Sequence, residues 1–386
     1  MERPNYRTGN LLNLLGSVLE GLDGETAGYA PLAPLPPDEV REYRQVVLIV
    51  VDGMGWEFLN RSRGRSCLRD LARTRLGSVF PSTTATAVTS FLTGVAPQQH
   101  GLTGWHMYFR ELGAVLAVLP GVPRYGGCPL GKAGLNAREF FGHRPLFDRL
   151  PVPSTVLAPS RIAYSDFNRA HQGKADLLAF ETLDDFFARI GQRLRTDRRR
   201  RFIYAYWADF DRTAHETGIH SSETERHFRT FDDEFARFLA SIRGTGTLVI
   251  VTADHGFIDS DAEHTIDLAD HPDLADCLAL PLCGERRVAY CYLKPGKKNF
   301  FESYVRSELD AAMELRESYQ LIEEGWFGLG PPHPRLAERV GDYTLVMKEN
   351  YCLKDWLPFE HRYEQIGVHG GVSASEMGIP LIVAIA

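Results

Sequence analysis

The sequence predicts a doubly wound α/β fold, in which a mostly parallel central sheet carries helices on both faces. The 386 residues are enough for one large core and an added subdomain. The first strong strand pattern is a run of β-branched residues that ends in Asp-Gly, as expected at the carboxyl end of a central parallel strand. Strand and helix patterns then alternate along the chain, which is typical of this architecture. The strand candidates are 45–56, 154–159, 201–209, 246–256 and 379–385, and the helix candidates are 9–22, 85–93, 182–195 and 223–242.

The same patterns divide the chain into a core and inserted segments. Residues 1–40 hold an amphipathic helix pattern and a Pro-rich linker, and residues 41–260 and 366–386 contain the strand candidates of the core. Residues 100–150, rich in Gly, Pro and aromatic residues, fit that core badly, as do residues 261–365, which mix short strand patterns with polar helices. We expect a small cap insert and a larger cap subdomain, because such sheets build their sites from loops beyond the carboxyl strand ends.

Composition excludes several classes of function. The formal net charge of -7 argues against a protein that binds polymeric nucleic acid, because such domains carry an excess of basic residues. The amino-terminal segment lacks the apolar run and cleavage pattern of a signal peptide, and no stretch is long and apolar enough to predict a membrane span. The six cysteines form no CxxC pair. These features predict a cytoplasmic protein.

Acidic and imidazole side chains follow three of the strand candidates. A carboxylate at the exit of an apolar strand is costly unless it is compensated, and this edge of a parallel sheet is where ligands bind. A single Asp in this position is more often a helix cap than a metal ligand, so the prediction depends on the coincidence of several. The residues at these strand ends are Asp52, Asp209, Asp211, His215, Asp254 and His255.

The spacing of these residues suits a metal site. Asp211 and His215 are four residues apart, so one helical turn would point both side chains the same way. Asp254 and His255 are adjacent at a strand exit, and His369 lies in the Gly-rich segment GVHGGVS before the last strand candidate. Carboxylate and imidazole together favour zinc, with manganese and iron as the alternatives for a less selective site. The set predicts a dispersed site for two divalent metal ions.

A cluster of hydroxyl groups marks a further candidate at a strand-to-helix junction. The segment VFPSTTATAVTSFLTG places Ser82, Thr83, Thr84 and Thr86 at the start of a helix pattern. A helix N-terminus favours a bound phosphate, and a nearby divalent cation would activate a hydroxyl as a nucleophile. A plain Ser/Thr helix cap is the alternative interpretation of this segment.

The order and spacing of these motifs resemble the alkaline phosphatase superfamily, and most closely its type I phosphodiesterase/nucleotide pyrophosphatase branch. In that superfamily the nucleophile begins a helix, and the Gly of a Thr-Gly or similar pair follows ten positions later. Thr93-Gly94 matches that pair, and the register selects Thr84 as the nucleophile. Asp211 and His215 match the D-x-x-x-H-x-x-G motif of the family, and His369 matches its late histidine.

The resemblance implies an alkaline-phosphatase-like fold and a metal-dependent phosphohydrolase that works through a phospho-threonine intermediate. One metal ion would be held by Asp52, Thr84, Asp254 and His255, and the second by Asp211, His215 and His369. Two cations that clamp the attacking and leaving oxygens make a separate general base unnecessary. Sulfatases of the superfamily need a Cys or Ser, and its phosphomutases use Ser, so a Thr nucleophile favours cleavage of phosphodiester or nucleotide pyrophosphate bonds. The implied partner is a small phosphorylated substrate, with a nucleotide as one candidate.

One departure from the family pattern leaves the substrate open. The phosphodiesterase branch places an Asn about twenty residues after the nucleophile, where this chain has Trp105 and His106. A phosphomonoesterase that acts on a small metabolite would instead need a cation for the extra charge, and Arg124, Arg144 and Arg161 are candidates. Trp105, His106, Arg124 and Arg161 are therefore the predicted substrate contacts. A catalytically silent binding protein on the same scaffold is the third alternative.

Overall fold

A computed structural model describes residues 1–62, 64–196, 199–358, 360 and 362–386. Two seven-stranded sheets and two short two-stranded ribbons organise this part of the chain. The strands, in chain order, are β1 (Gln45–Val51), β2 (Ala72–Gly77), β3 (His106–Phe109), β4 (Ala114–Ala117), β5 (Val122–Pro123), β6 (Ser154–Pro159), β7 (Asp176–Phe180), β8 (Arg201–Trp207), β9 (Thr247–Thr252), β10 (Ile258–Asp259), β11 (Thr265–Asp267), β12 (Cys283–Gly284), β13 (Val288–Cys291), β14 (Met313–Glu317), β15 (Tyr343–Met347), β16 (Cys352–Lys354), β17 (Gly367–Val368) and β18 (Gly378–Ile385).

The larger core is built on a sheet with the order β2-β18-β9-β1-β8-β6-β7, and we call it the core sheet. Its neighbouring strands are parallel except that β18 runs antiparallel to both β2 and β9. Every residue of β1, β8 and β9 is buried, because helices cover both faces. All five strand candidates lie in this sheet, which confirms the predicted fold class.

Two strands of the core sheet, β2 and β7, were not among the strand candidates. Both lie at the edges of the sheet and are only partly buried. The edge strand β2 carries Arg73 and Arg75, which pair with Glu39 and Glu2 at 2.5 and 2.6 Å. Charged side chains are common on edge strands, where they oppose pairing with another chain, but they remove the apolar signal on which the prediction depends.

Among the described residues, six helices have nine residues or more: α1 (Leu11–Gly21), α2 (Thr84–Thr93), α3 (Leu183–Thr196), α4 (Asp209–Thr217), α5 (Ser222–Ser241) and α6 (Lys298–Glu308). Four of these correspond to the helix candidates, and α4 lies where the Asp211-His215 spacing predicts a helical turn. Shorter α-helices span Pro37–Arg41, Trp56–Arg61, Cys67–Asp70, Pro97–His100, Ala137–Phe141, Ser160–Ala163, Asp166–His171, Pro272–Ala275, Ser318–Glu323, Leu336–Arg339 and Ala374–Met377.

The amino-terminal helix α1 is more deeply buried than its amphipathic pattern predicts. Ten of its eleven residues are buried, including Asn13 and Ser17 on the polar side. The Pro-rich segment that follows covers this side: Asn13 Nδ2 donates to the carbonyl of Ala30, and Ser17 Oγ accepts from the N–H of Leu32. Because these polar atoms find backbone partners, the whole helix can be buried in the core.

The second sheet has the order β14-β15-β13-β12-β3-β4-β5 and is antiparallel throughout; we call it the cap sheet. It combines strands from both of the segments that the sequence separates as cap material. A buried ion pair joins it to the core. Arg287 Nε lies 3.1 Å from Glu376 Oε1, and neither side chain is more than 1% exposed. Glu376 belongs to the short helix Ala374–Met377 that precedes β18.

In the part of the chain that the structure describes, none of the helices combines the length and the apolar character of a transmembrane segment.

Candidate active site

The register of the core sheet brings the predicted ligands to one edge. β1 lies between β8 and β9 and is parallel to both, so the carboxyl ends of all three strands meet there. Asp52 follows β1, Asp254 and His255 follow β9, and Asp211 is on the first turn of α4, after β8. Gly53 turns the chain sharply after Asp52, with φ of 77°, and its N–H donates to Asp254 Oδ1 at 3.0 Å. The turn therefore binds the ends of two neighbouring strands together.

Four of the predicted side chains form the first ligand cluster: Asp52, Thr84, Asp254 and His255. Nε2 of His255 lies 3.3 Å from Asp52 Oδ1, 3.5 Å from Asp254 Oδ2 and 3.1 Å from the Thr84 hydroxyl. The Thr84 hydroxyl is 3.4 Å from Asp52 Oδ1. These are the four residues that the family resemblance assigns to one metal ion, and the structure brings them together.

The remaining three form the second ligand cluster: Asp211, His215 and His369. Asp211 Oδ1 lies 3.4 Å from Nε2 of His215 and 3.5 Å from Nε2 of His369. The two imidazole Nε2 atoms are 3.2 Å apart. Ligand atoms of Asp211, His255 and His369 also lie within 4.8 Å of one another, so the two clusters adjoin through His255.

Backbone carbonyls hold the histidines in the orientation that metal binding requires. Nδ1 of His215 lies 2.8 Å from the carbonyl of Gly367, and Nδ1 of His255 lies 3.1 Å from the carbonyl of Gly256. A carbonyl can only accept, so each Nδ1 carries the proton and each Nε2 presents a lone pair to the clusters. Burial lowers the pKa of His215 to about 4 and also lowers that of His369, which keeps these imidazoles neutral.

The acidic groups fit a site that holds cations. Burial raises the pKa of Asp211 to about 7 and that of Asp254 to about 8, and it also raises the pKa of Asp52. Among the described residues, Asp211 Oδ1 and Asp254 Oδ2 are buried and have no hydrogen-bond donor. Buried carboxylate oxygens without donors need a compensating positive charge. Together with the neutral imidazoles, they form donor groups that could hold a metal ion.

Tyr206 is a site residue that the sequence did not single out. Its hydroxyl donates a hydrogen bond to Asp52 Oδ2, on the side of the carboxylate that faces away from His255. Such a partner orients a ligand and adjusts its basicity. In the sequence Tyr206 is one apolar member of β8, and only the pairing of Val50 with Tyr206 across the sheet places it beside Asp52.

The predicted nucleophile begins helix α2. Thr84 is the first helical residue, and Gly94 ends the helix in the left-handed conformation with φ of 74°. The preceding Thr83 does not cap the helix with its side chain. Instead, its hydroxyl donates to Glu285 Oε1 at 2.7 Å, and the N–H of Trp105 donates to the same oxygen at 2.7 Å. Glu285, from the cap, therefore connects the nucleophile segment to the loop before β3.

A cavity of about 490 Å³ is lined by Thr84 of the first cluster, by all three residues of the second cluster and by cap residues. Its volume suits a ligand of the size of a nucleotide or smaller metabolite. Core residues at its base are Thr84, Asp211, His215 and His369, and the cap contributes segments 105–106, 282–286 and 353–356, with Arg124, Glu360, Tyr363 and Gln365.

The four predicted substrate contacts differ in their placement. Trp105 and His106 line the cavity. Arg124 also lines it, but its guanidinium is 4% exposed and is paired with Asp355 and Glu360 at 2.7 and 2.8 Å. Its charge is therefore already balanced by the protein.

The structure does not bring Arg161 to the cavity lining. Its side chain is 47% exposed, and its guanidinium lies 3.0 Å from Asp209. Arg144 is also outside the lining and pairs with Glu25 at 2.7 Å. Asp209, at the start of α4, pairs with Arg161 and Arg212. A position near a strand end does not predict cavity lining well for an arginine. It fixes the Cα position of the residue, but not the direction in which its long side chain extends.

Comparison with known proteins agrees with this geometry. The sequence profile of the type I phosphodiesterase / nucleotide pyrophosphatase family matches residues 46–371. Sequence comparison with curated proteins finds no match. Among solved structures, the chain is similar to murine ectonucleotide pyrophosphatase / phosphodiesterase 5, with a TM-score of 0.68, 17% identity and 87% of each chain covered. An inactive threonine-to-alanine variant of that protein in complex with AMP gives a TM-score of 0.66, with 17% identity and 87% of each chain covered.

A bacterial structure is similar over a comparable share of the chain. It is phosphonoacetate hydrolase from Sinorhizobium meliloti 1021 in complex with phosphonoformate, with a TM-score of 0.61, 19% identity, and 89% of this chain and 90% of that chain covered. At these identities the structural similarities describe the fold. The family match spans the core and the cap, and it confirms the resemblance that the motifs predict. The chain therefore belongs to the type I phosphodiesterase / nucleotide pyrophosphatase family of the alkaline phosphatase superfamily, and it is a hydrolase of phosphate esters.

Proposed function

We propose that this protein cleaves phosphodiester or nucleotide pyrophosphate bonds with Thr84 as its nucleophile and two divalent metal ions as cofactors. Zinc is the favoured metal and manganese the alternative, because the ligands are carboxylates and neutral imidazoles. The first ligand cluster would hold one ion and the second cluster the other. The substrate is a small phosphorylated molecule, and a nucleotide is one candidate.

The observation that carries this proposal is the position of the Thr84 hydroxyl. It lies within 3.4 Å of both Asp52 Oδ1 and His255 Nε2, and it begins a helix whose N-terminus faces the cavity. A hydroxyl that served only as a helix cap would need contact with backbone N–H groups alone, and not with two candidate metal-ligand atoms. In this position it can lose its proton and approach a phosphate that the helix N-terminus also attracts.

The chemistry follows from this arrangement. Two bound divalent cations would favour the deprotonated hydroxyl and neutralise the phosphate oxygens. Thr84 Oγ1 forms a bond to phosphorus, and the bond from phosphorus to the leaving-group oxygen breaks. Water then attacks the phospho-threonine, which releases the phosphoryl group and returns the hydroxyl to Thr84. Before the reaction the Thr84 hydroxyl donates to Asp52 Oδ1 at 3.4 Å, and Tyr206 orients this carboxylate.

The similar proteins support the choice of residue and ligand class. A threonine-to-alanine variant of the murine protein is described as inactive and was captured with AMP. The bacterial protein was captured with phosphonoformate, a small phosphonate. These descriptions belong to those proteins; together with the cavity they support a small phosphorylated ligand here.

A phosphomonoesterase is the second candidate function. The segment that carries an Asn in the phosphodiesterase branch carries Trp105 in this chain. The backbone N–H of Trp105 donates to Glu285. The cavity also contains cations from the cap that would suit the extra charge of a monoester. A cytoplasmic location stays a prediction from composition.

Replacement of Thr84 by Ala tests the proposed function. We expect hydrolysis of bis-p-nitrophenyl phosphate, assayed with Zn²⁺ and with Mn²⁺, to fall by about 1,000-fold or more, because the nucleophile is removed. Wild-type enzyme quenched in acid during turnover should carry phosphate on the peptide that contains Thr84, as mass spectrometry would show. Thr230→Ala, which removes an exposed hydroxyl on α5, is the matched control.

The outcomes separate the candidates. A Thr84→Ala enzyme that keeps its rate within about tenfold would rule out the nucleophile assignment. Faster turnover of p-nitrophenyl phosphate than of the diester would favour the monoesterase. Wild-type protein that hydrolyses neither ester with either metal would favour a silent binding protein.

A further inference from the structure

The cavity extends from the ligand clusters to a cap wall made of Arg286, Lys354, Trp356 and Tyr363. Arg286 follows Glu285, which contacts Thr83 beside the nucleophile. The backbone carbonyl of Arg286 accepts from the N–H of Leu353 at 2.8 Å, so the two cap segments that carry the cations are joined. The wall therefore stands beside the reacting centre in the same cavity.

The cationic side chains of this cavity differ in whether they form ion pairs. Arg124 is balanced by two carboxylates, Asp355 and Glu360. Within residues 1–62, 64–196, 199–358, 360 and 362–386, no carboxylate lies within 4.0 Å of the Arg286 guanidinium or of the Lys354 ammonium group. Both of these side chains are only partly buried. Among the described residues, neither charge is therefore neutralised by an ion pair.

Aromatic rings hold these two cations in place. The Arg286 guanidinium carbon lies 4.9 Å from the centre of the Tyr363 ring and 5.5 Å from that of Trp356. The Lys354 ammonium lies 5.8 Å from the same Trp356 ring. Arg286 Nη2 also donates to the backbone carbonyl of Tyr363 at 3.4 Å. A ring face attracts a cation without occupying its N–H donors, so the remaining donors of a planar guanidinium fixed in this way can grip the oxygens of an anion. Fixing the side chain in advance also reduces the entropy lost on binding.

We propose that Arg286, with Lys354 beside it, binds a second anionic group of the substrate, a carboxylate or a further phosphate, while the reacting phosphorus lies at Thr84. This inference rests on the proposed function and adds the substrate class: a phosphate compound with two separated anionic groups. Arg286 and Lys354 then select the substrate, and Trp356 and Tyr363 position the two cations.

Three ligands of graded charge test the proposal. Methylphosphonate has one anionic group, phosphonoacetate adds a carboxylate, and methylenebisphosphonate adds a second phosphonate. Their inhibition constants would be measured against bis-p-nitrophenyl phosphate hydrolysis by the wild type, Arg286→Gln, Arg286→Lys and Lys354→Gln. The control is Arg110→Gln, an exposed cap arginine that pairs with Glu338 and lies outside the cavity lining.

The readout is the ratio of the inhibition constant of methylphosphonate to that of each two-anion ligand. Chelation of bound metal raises this ratio equally in every variant, so only its change reports on the cap. We expect Arg286→Gln to lower the ratio by about tenfold or more, Arg286→Lys to keep most of it, and Arg110→Gln to leave it unchanged. The two-anion ligand whose ratio falls more in Arg286→Gln identifies the preferred second anionic group.

An unchanged ratio in Arg286→Gln would overturn the inference. If Arg286→Gln fails to fold, as judged by circular dichroism, Lys354→Gln gives the second reading, and an unchanged ratio there has the same meaning. If the wild type does not hydrolyse the diester, the proposed function fails separately, because isothermal titration calorimetry with the same ligands still measures the ratio.

Discussion

The edge of the core sheet and the cap wall contribute to one cavity in different ways. The core edge supplies side chains from strand ends, and the ligand atoms within each cluster lie within about 3.5 Å of at least one neighbour. The cap wall supplies Arg286 from a turn, Lys354 from the end of the short strand β16, and Trp356 and Tyr363 from the segment after it. A parallel sheet fixes positions rigidly, whereas turns accept new side chains easily. In the proposed reaction, the core edge determines whether a phosphate is attacked, and the cap wall determines which phosphate compound is bound.

Loss of a core ligand should have the largest effect and should not depend on the substrate. Asp254→Asn keeps an oxygen that can accept from Gly53 and His255 but removes the charge. We expect kcat/KM to fall by about 1,000-fold or more for diester and monoester alike, because a bound metal ion contributes several kcal/mol to transition-state stabilisation. Metal content of the purified protein would be measured in parallel. Asp276→Asn, at an exposed carboxylate, is the control. A fall in kcat/KM for only one of the two substrates would contradict the assignment of catalysis to the core edge and of selectivity to the cap wall.

The next effect concerns the attachment of the cap to the core. Arg287→Gln leaves Glu376 as a buried charge without its partner, although Glu376 still accepts from the N–H of Gly371. We expect the free energy of unfolding in urea to fall by about 3–5 kcal/mol. Arg110→Gln, which breaks an exposed pair with Glu338, should change it by about 1 kcal/mol or less. Equal costs for the two variants would show that the buried pair does not fasten the cap.

A smaller effect should follow from the support of Asp52. Tyr206→Phe removes the hydroxyl that donates to Asp52 and leaves the ring in the core. Losing such a partner typically costs about 10- to 100-fold in activity or metal affinity. Zinc titration of the metal-free protein, followed by kcat measurements at saturating zinc, would separate the two contributions. Tyr319→Phe, which removes the hydroxyl of an exposed cap tyrosine, is the control. If Tyr206→Phe had the same zinc affinity and the same kcat as this control, the orienting role of Tyr206 would be contradicted.

The smallest effect is expected at Arg161. Its guanidinium pairs with Asp209 and does not line the cavity. Arg161→Ala should leave kcat/KM for mono- and diesters within about threefold of the wild type, because exposed ion pairs contribute little. A tenfold or larger loss with monoesters alone would show that Arg161 reaches the phosphate during turnover. It would then move the origin of selectivity from the cap wall to the core edge.

The core was predictable from the sequence because each of its signals is local. Runs of buried residues mark β1, β8 and β9, and the residues just after them become ligands without any knowledge of the cap. The edge strands β2 and β7 escaped because partial burial gives a mixed pattern.

The cap and the supporting contacts depend on distant pairings, which leave no local pattern. β3 and β12 are adjacent in the cap sheet although they are far apart in the sequence. Arg124 looked like a free cation because its partners Asp355 and Glu360 also come from a distant segment. Tyr206 was hidden for the same reason, since only strand register places it beside Asp52.

The order in which the ligands occur along the chain has a consequence for when activity first exists. Asp52 follows the first strand of the core sheet, and His369 precedes its last strand. Contacts between such distant segments are among the last to form, because closing a long loop costs entropy before it gains contacts. Under the proposed ligand assignment, we therefore expect a nascent polypeptide on the ribosome to stay inactive until His369, after the cap, has been synthesised and has reached the second ligand cluster. Turnover of a chromogenic ester would consequently serve as an assay for complete maturation of the chain.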